Sequence, residues 1–292
     1  MSLCCYSAAA GRGVLLLGRR HWRRHPLLNL RTATTVASSS AGAAATSIAS
    51  LSPPQQRQVA VYVDALLEWN QRMNLTAVTD EAEAMTRHVA DSLAVLPPLE
   101  RAYRARCTSS GGDIDGVSLI DVGSGAGLPG LILAVARPSK RSSFPVNGWR
   151  FTLLESMRKR CTFLEHAVEV MKLPNVDVVC DRAENVGQSI DFRERYDIVA
   201  ARAVAELKVL AEYCLPLVRI GGLFIAAKGH DPQEEIRNAE GAVRKLGACM
   251  LELSNVESLG PHGKRTAVIY VKEHATPKKY PRLPGTPSKM PL

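Results

Sequence analysis

The sequence predicts a doubly wound α/β fold, a seven-stranded sheet with helices on both faces, preceded by a helical extension. Two observations predict it. Short apolar runs alternate with segments of helical period from Val117 onward, which is the pattern of a parallel sheet with crossover helices. The first run, Leu119, Ile120 and Val122, ends in four glycines, Gly123, Gly125, Gly127 and Gly130. That is a strand, a tight turn and a helix start, the arrangement that carries the free N–H groups of a helix to a ligand.

The elements follow in order. Ser52-Pro53 opens a helix, with Ser as cap and Pro in the first turn, ending near Asn70. Its apolar face is Val59, Val63, Leu66 and Leu67. A second helix runs from about Glu81 to Leu96 and stops at Pro97-Pro98, and Tyr103 to Gly116 reads as a polar linker. Strands are expected at 117–122, 150–154, 176–180, 196–201 and 222–227. Helices are expected to about Ala136, then at 157–171, 205–218 and 232–246. Met250–Val256 and Ala267–Val271 close the sheet as an antiparallel pair. Thr276–Leu292 is basic and Pro-rich, with no apolar period.

Charge and composition separate a leader from the body. The formal charge is +9, but residues 1–50 hold six Arg, no Lys and no acid. Without them, 31 basic side chains face 28 acidic ones, a net of +3. Net charge therefore does not identify a partner, and an RNA surface must be a local patch. The Arg-, Ser- and Ala-rich, acid-poor leader fits an organellar transit peptide. Its apolar run, Val14–Leu17, is too short to span a bilayer. The Ser/Thr/Ala excess tilts the destination to the chloroplast, with the mitochondrion as the alternative. The seven cysteines form no C-x-x-C pair, so neither a structural zinc site nor any other metal is expected. The domain plan is a leader over 1–50, a helical extension over 51–100, a catalytic domain over 117–273 and a tail over 274–292.

The glycine turn by itself leaves two cofactors open. From Gly123 it reads G-x-G-x-G, common in S-adenosylmethionine enzymes; from Gly125 it reads G-x-G-x-x-G, the dinucleotide fingerprint. Glu155 ends the second strand, where a carboxylate can accept both ribose hydroxyls of an adenosine. Arg182-Ala183-Glu184 follows the third strand, on the adenine side. Arg202 ends the fourth strand at the pocket rim, where it can steer a phosphate or base. Lys228 ends the fifth. Two absences narrow the chemistry. No D/N-P-P-Y/F box is present to hold an exocyclic amine, and no Pro-Cys pair serves covalent attack on a pyrimidine. A ring nitrogen with a free lone pair, such as guanine N7, needs only alignment and proximity. In the extension, Trp69, Asn70, Asn74, Arg87, His88 and Asp91 form a polar constellation. Trp69 is expected in the core and His88 as a capping or hydrogen-bonded side chain.

Taken in order, WNQRMNLTAV, RHVADSL, LIDVGSGAGLPGLILA, LLESMRKRCTFL, DRAENV, ARAVAEL and AAKGHDPQEEI resemble the bacterial small-subunit rRNA methyltransferase G family, also called glucose-inhibited division protein B. The resemblance runs from about Ser52 to Val271 and implies a class I, Rossmann-like methyltransferase fold. It implies methyl transfer from S-adenosylmethionine to a guanine N7 of 16S-type rRNA, by a monomer acting on rRNA or an assembling ribosomal subunit. By the same resemblance Gly123 and Leu128 contact the cofactor, Gly125 and Gly127 shape the loop, and Gly130 serves helix packing. Glu155 takes the ribose, Ala183 and Glu184 the adenine, and Arg202 positions groups near the methyl. The leader lies outside the match and points to a plant or algal organelle. The runners-up are an NAD-dependent oxidoreductase and a ribosome-assembly factor without turnover. The extension and Lys278, Lys279, Arg282 and Lys289 are expected to grip RNA phosphates.

Overall fold

A computed structural model describes residues 48–107, 116–138, 148–202, 204–229, 231–256 and 265–292. The leader before Ile48, the insertion after Cys107 and most of the 138–148 loop lie outside the described residues. Seven strands form one sheet in the order β3-β2-β1-β4-β5-β7-β6. They are β1 Ser118–Val122, β2 Arg150–Glu155, β3 Val176–Cys180, β4 Tyr196–Arg202, β5 Val218–Lys228, β6 Ala248–Val256 and β7 Arg265–Lys272. β1 to β5 are parallel neighbours, whereas β7 runs antiparallel between β5 and β6. The strand order reverses between β1 and β4. Open sheets of this kind bind ligands in the crevice at that reversal. The expected class I methyltransferase architecture is the one observed.

The helices are α1 Pro53–Met73, α2 Glu81–Ala84, a π-helical turn Met85–Ala90, α3 Asp91–Ala94 and α4 Leu96–Cys107. Beyond β1 come α5 Gly130–Ala136, α6 Arg158–Met171, α7 Ala183–Val186, α8 Leu207–Cys214, α9 Gln233–Lys245 and α10 Thr286–Lys289.

The extension differs from its sequence reading. It does not stop at Pro97-Pro98. Both prolines sit in the first turn of α4, where the missing N–H would have had no partner and the ring has no preceding turn to strike. Tyr103, expected in a polar linker, is buried on α4 and donates its hydroxyl to Asp197 Oδ1 at 3.0 Å.

The extension is also part of the main core. Every residue of α5, GLILAVA, is buried. A helix apolar on all sides needs cover on the face turned from the sheet. α1 and α3 supply it, and one apolar cluster runs from Leu51 and Tyr62 through Leu131 and Phe163 to Val271. Polar pins fix α1 in place. Gln55 donates to Val135 O at 2.7 Å and Gln58 to Met171 O at 2.8 Å, each satisfying a carbonyl at a helix end. Trp69, expected in the core, is half-buried at its edge, with its ring against Phe163 and His166.

The tail also departs from expectation. Arg193 donates to Thr276 O, at 2.8 Å, and to Tyr280 O, at 2.7 Å, while Gln188 donates to Pro281 O, at 2.7 Å. Tyr280 is buried among the residues of α8 and β5. Arg282, expected to meet RNA, is instead turned inward to the buried carboxylate of Glu212, with Nη2 to Oε2 at 2.7 Å. Lys278, Lys279 and Lys289 remain exposed.

Lys272 closes the join between sheet and tail. It is fully buried, donating to Leu215 O at 2.6 Å and Thr276 Oγ1 at 2.7 Å, with Glu194 at 3.1 Å. Burial lowers its pKa to about 8, against the opposing attraction of Glu194. A lowered folded-state value means that the unfolded chain holds more protons between pH 8 and the ordinary lysine range. Stability therefore rises with pH across that window, and is lost again as pH falls through about 8. Urea unfolding at pH 7.5 and 9.5 should show Lys272 contributing a gain of about 1–2 kcal/mol. In Lys272→Met that increment should vanish; an unchanged pH difference in the variant would contradict it.

Candidate active site

The β1–α5 turn is built by what its glycines permit. Gly123, Gly125 and Gly127 all have positive φ, at 72°, 57° and 89°, a region that side chains disfavour. A Cβ on Gly127 would fall 2.3 Å from Leu131 Cδ1. Gly130 obeys a different constraint. A Cβ there would lie 2.4 Å from Leu153 Cδ2 and 2.8 Å from Asp121 Oδ2. It lets α5 approach the sheet, which is the packing role its spacing implied.

Two carboxylates hold the turn. Asp121, buried on β1, accepts the Gly130 N–H through Oδ2 at 2.9 Å, while its Oδ1 has no hydrogen-bond partner. Burial raises its pKa to about 6, with the Gly130 N–H and the charge of Arg202 working the other way. Sequence reasoning passed over Asp121. Its signal was a single acid inside the apolar run LIDV, a position that demands a partner for a buried polar group. Glu155, at the end of β2, accepts Gly125 N–H through Oε2 at 3.0 Å and Met157 N–H through Oε1 at 2.9 Å. Oε1 also receives the Ser156 hydroxyl at 3.4 Å and Oε2 faces Arg160 Nη1 at 3.7 Å, so the accepting capacity left for a ligand hydroxyl lies mainly on Oε2. Tyr62 of α1 donates its buried hydroxyl to Ala126 O at 2.8 Å, which ties the extension to the turn.

Two clefts flank this turn and share Gly123, Ser156 and Val204. The first, about 350 Å³, contains Gly125, Leu128, Glu155 and Arg202, with Thr76 and His88 of the extension opposite. The second, about 230 Å³, contains Val122, Leu154, Ala183, Glu184, Tyr213 and Ser288. The structure therefore gathers seven of the eight predicted residues on these two linings; the exception is Gly127, whose backbone abuts Leu131 and Leu164. A wider depression near Glu206, Asp231, Glu234 and Glu235 is lined by carboxylates, which repel a polyanion.

Charge is distributed unevenly over the site. Arg202 makes no hydrogen bond or ion pair to any described residue. Burial lowers its pKa, while Tyr62, Asp91 and Asp121 attract the cation. His88 binds Thr76 Oγ1 through Nε2 at 2.8 Å. Burial first, then the charge of Arg202, lowers its pKa to about 4, so it is neutral at pH 7. Asn70 bonds Thr76 N and Val78 O, and Asn74 adopts a left-handed cap. These side chains lock the α1–α2 connection. Asp91 pairs with Arg265 of β7. Glu184 is largely committed to Arg182, at 2.8 Å, and to Gly285 N–H, at 2.9 Å. Lys228 spends its ammonium on Ala205 O and Glu235. Among the described residues, no three His, Cys, Asp or Glu side chains gather as a metal site, and no helix is long and apolar enough to cross a membrane.

Residues 55–262 match the family model for rRNA small subunit methyltransferase G. A ribosomal RNA small subunit methyltransferase G of Symbiobacterium thermophilum is 45% identical over 239 residues, covering 80% of this chain and 89% of that protein. The protein of the same name from Bacillus cytotoxicus is 40% identical over 243 residues, covering 83% and 93%. That from Alkaliphilus oremlandii is 43% identical over 238 residues, covering 82% and 91%. With the fold, the glycine turn and these matches in agreement, the chain belongs to the rRNA small subunit methyltransferase G family.

Proposed function

We propose that this enzyme methylates N7 of a guanine in 16S-type rRNA, with S-adenosylmethionine as donor, inside a plant or algal organelle. The methyltransferase activity follows from the family, and it sets aside hydride transfer to a dinucleotide. The observation that carries the site reading is the unpaired Arg202, facing the first cleft beside the turn that Glu155 holds.

The residues fit the donor. Gly123, Gly125 and Leu128 border the methionine side, Glu155 offers lone pairs to the ribose, and Ala183 borders the adenine side. When bound, S-adenosylmethionine supplies an electrophilic methyl on a sulfonium sulfur. Guanine N7 brings its own lone pair, so no side chain need remove a proton. The protein's work is alignment. Arg202 holds the base or its phosphate, His88 stays neutral and holds Thr76, and Tyr62 keeps the turn still from the extension side. The product base is cationic, and an unpaired guanidinium beside it favours release.

The leader over residues 1–50 is the support for import, through its six Arg and absence of acid. The Ser/Thr/Ala excess favours the chloroplast. The working unit of the proposed function is a monomer.

Four measurements test this reading. Arg202→Ala should lower kcat by about 100-fold or more and leave the Kd for S-adenosylmethionine within about threefold; equal losses in both would remove Arg202 from the base side. Glu155→Gln should instead weaken cofactor binding by about tenfold, because a charge-assisted acceptor is lost; calorimetry reads it directly. In a knockout, N7-specific cleavage and primer extension on organellar small-subunit rRNA should find one guanine unmethylated. A methylated guanine persisting there would sink the assignment, and a fluorescent fusion of residues 1–60 names the organelle.

A further inference from the structure

We infer that the C-terminal segment after Pro281 forms the outer wall of the adenine end of the cofactor pocket, and that Arg282 is the positioning residue that seats it. The inference rests on the cofactor reading above and adds a part of the chain that the sequence reading gave to RNA.

Three anchors make the wall. Arg282 donates its backbone N–H to Glu212 Oε1 at 2.8 Å, Nε to Oε1 at 2.9 Å and Nη2 to Oε2 at 2.7 Å. Glu212 is fully buried on α8, so this two-pronged pair is a fixed point rather than a surface ion pair. Three residues on, Gly285 turns the chain with φ 82° and donates its N–H to Glu184 Oε1 at 2.9 Å. Ser288 then meets Tyr213, hydroxyl to hydroxyl, at 2.7 Å.

The anchors converge on one place. Glu184, Tyr213 and Ser288 line the same 230 Å³ cleft as Val122, Leu154 and Ala183. Apolar Val122, Leu154 and Ala183 come from the sheet and α7. The tail adds Ser288 to the same lining, its hydroxyl paired with that of Tyr213. An adenine ring presents flat apolar faces and a polar edge, and this lining offers a surface to each. Glu184 itself is held from the other side. Burial works to raise its pKa, but the donors from Arg182 and Gly285 prevail and keep the carboxyl below its usual value. It therefore braces the wall as a carboxylate. A tail docked only for stability need not reach the cleft at all; this one places a hydroxyl on it.

The test compares two ligands on the full-length chain. Calorimetry measures the Kd of S-adenosylhomocysteine and of S-inosylhomocysteine, in which the adenine amino group is replaced by oxygen. Arg282→Met should weaken S-adenosylhomocysteine by about tenfold and shrink the preference for adenine over hypoxanthine. Arg282→Lys keeps the charge but loses the fork, and should recover only part of the affinity. Ser288→Ala leaves the anchors intact and should cost about threefold, again with a smaller adenine preference. If Arg282→Met does not fold, as judged by far-ultraviolet circular dichroism, Ser288→Ala decides alone. The inference is overturned if the folded variants bind both ligands within twofold of the parent chain with the same preference. Failure of the parent chain to bind S-adenosylhomocysteine would instead overturn the cofactor reading beneath it.

Discussion

The buried carboxylate of Asp121 is the constraint on which the site depends. It stands on the central strand, directly beneath the glycine turn, and receives the first N–H of α5. Burying an acid there is costly, and its pKa rises to about 6 as a result. The return is positional. A strand, a turn and a helix meet at one oxygen, and Gly130 can approach only because it has no side chain. Glu155 repeats the device from the neighbouring strand, holding the other limb of the turn through Gly125. Two carboxylates on adjacent strands thus shape a loop that three residues with positive φ make tight.

Around that loop the chain divides its labour by side. In the function proposed above, the carboxyl ends of β1 to β3 would hold the nucleoside end of the cofactor, and the end of β4 with the helical extension would face the methyl acceptor. Arg202 belongs to the second group, and that it pairs with no described residue is the clearest polar signal in the site. The extension has a structural role of its own. It covers α5, which is apolar all round, and sends Tyr62 to the turn.

Much of this was legible locally. Apolar runs ending in glycine or a carboxylate mark β1 and β2, because strand and turn chemistry are short-range. The helix of residues 158–171 shows in the spacing of Cys161, Leu164, Val168 and Met171. What escaped was of two kinds. Pro97-Pro98 reads as a stop, yet prolines suit a helix's first turn as well as its end, and only packing on Tyr103 and Leu99 decides. The tail escaped because its anchors are long-range: Arg282 meets Glu212 across 70 residues, and Gly285 meets Glu184 across 101. No periodicity encodes such pairs. Asp121 was visible as an acid in an apolar strand, but its partner was a backbone N–H nine residues on, which composition does not reveal.

The Tyr62 hydrogen bond has a thermodynamic consequence. It joins the extension to the glycine turn, so in the proposed function RNA and cofactor would not bind to independent surfaces. Any ordering of the turn by one is felt by the other as a change in standing free energy. Such linkage is symmetric. Whatever factor the docked RNA adds to cofactor affinity, the cofactor returns to RNA affinity, and a spent cofactor that orders the turn less well loosens the grip on the methylated product.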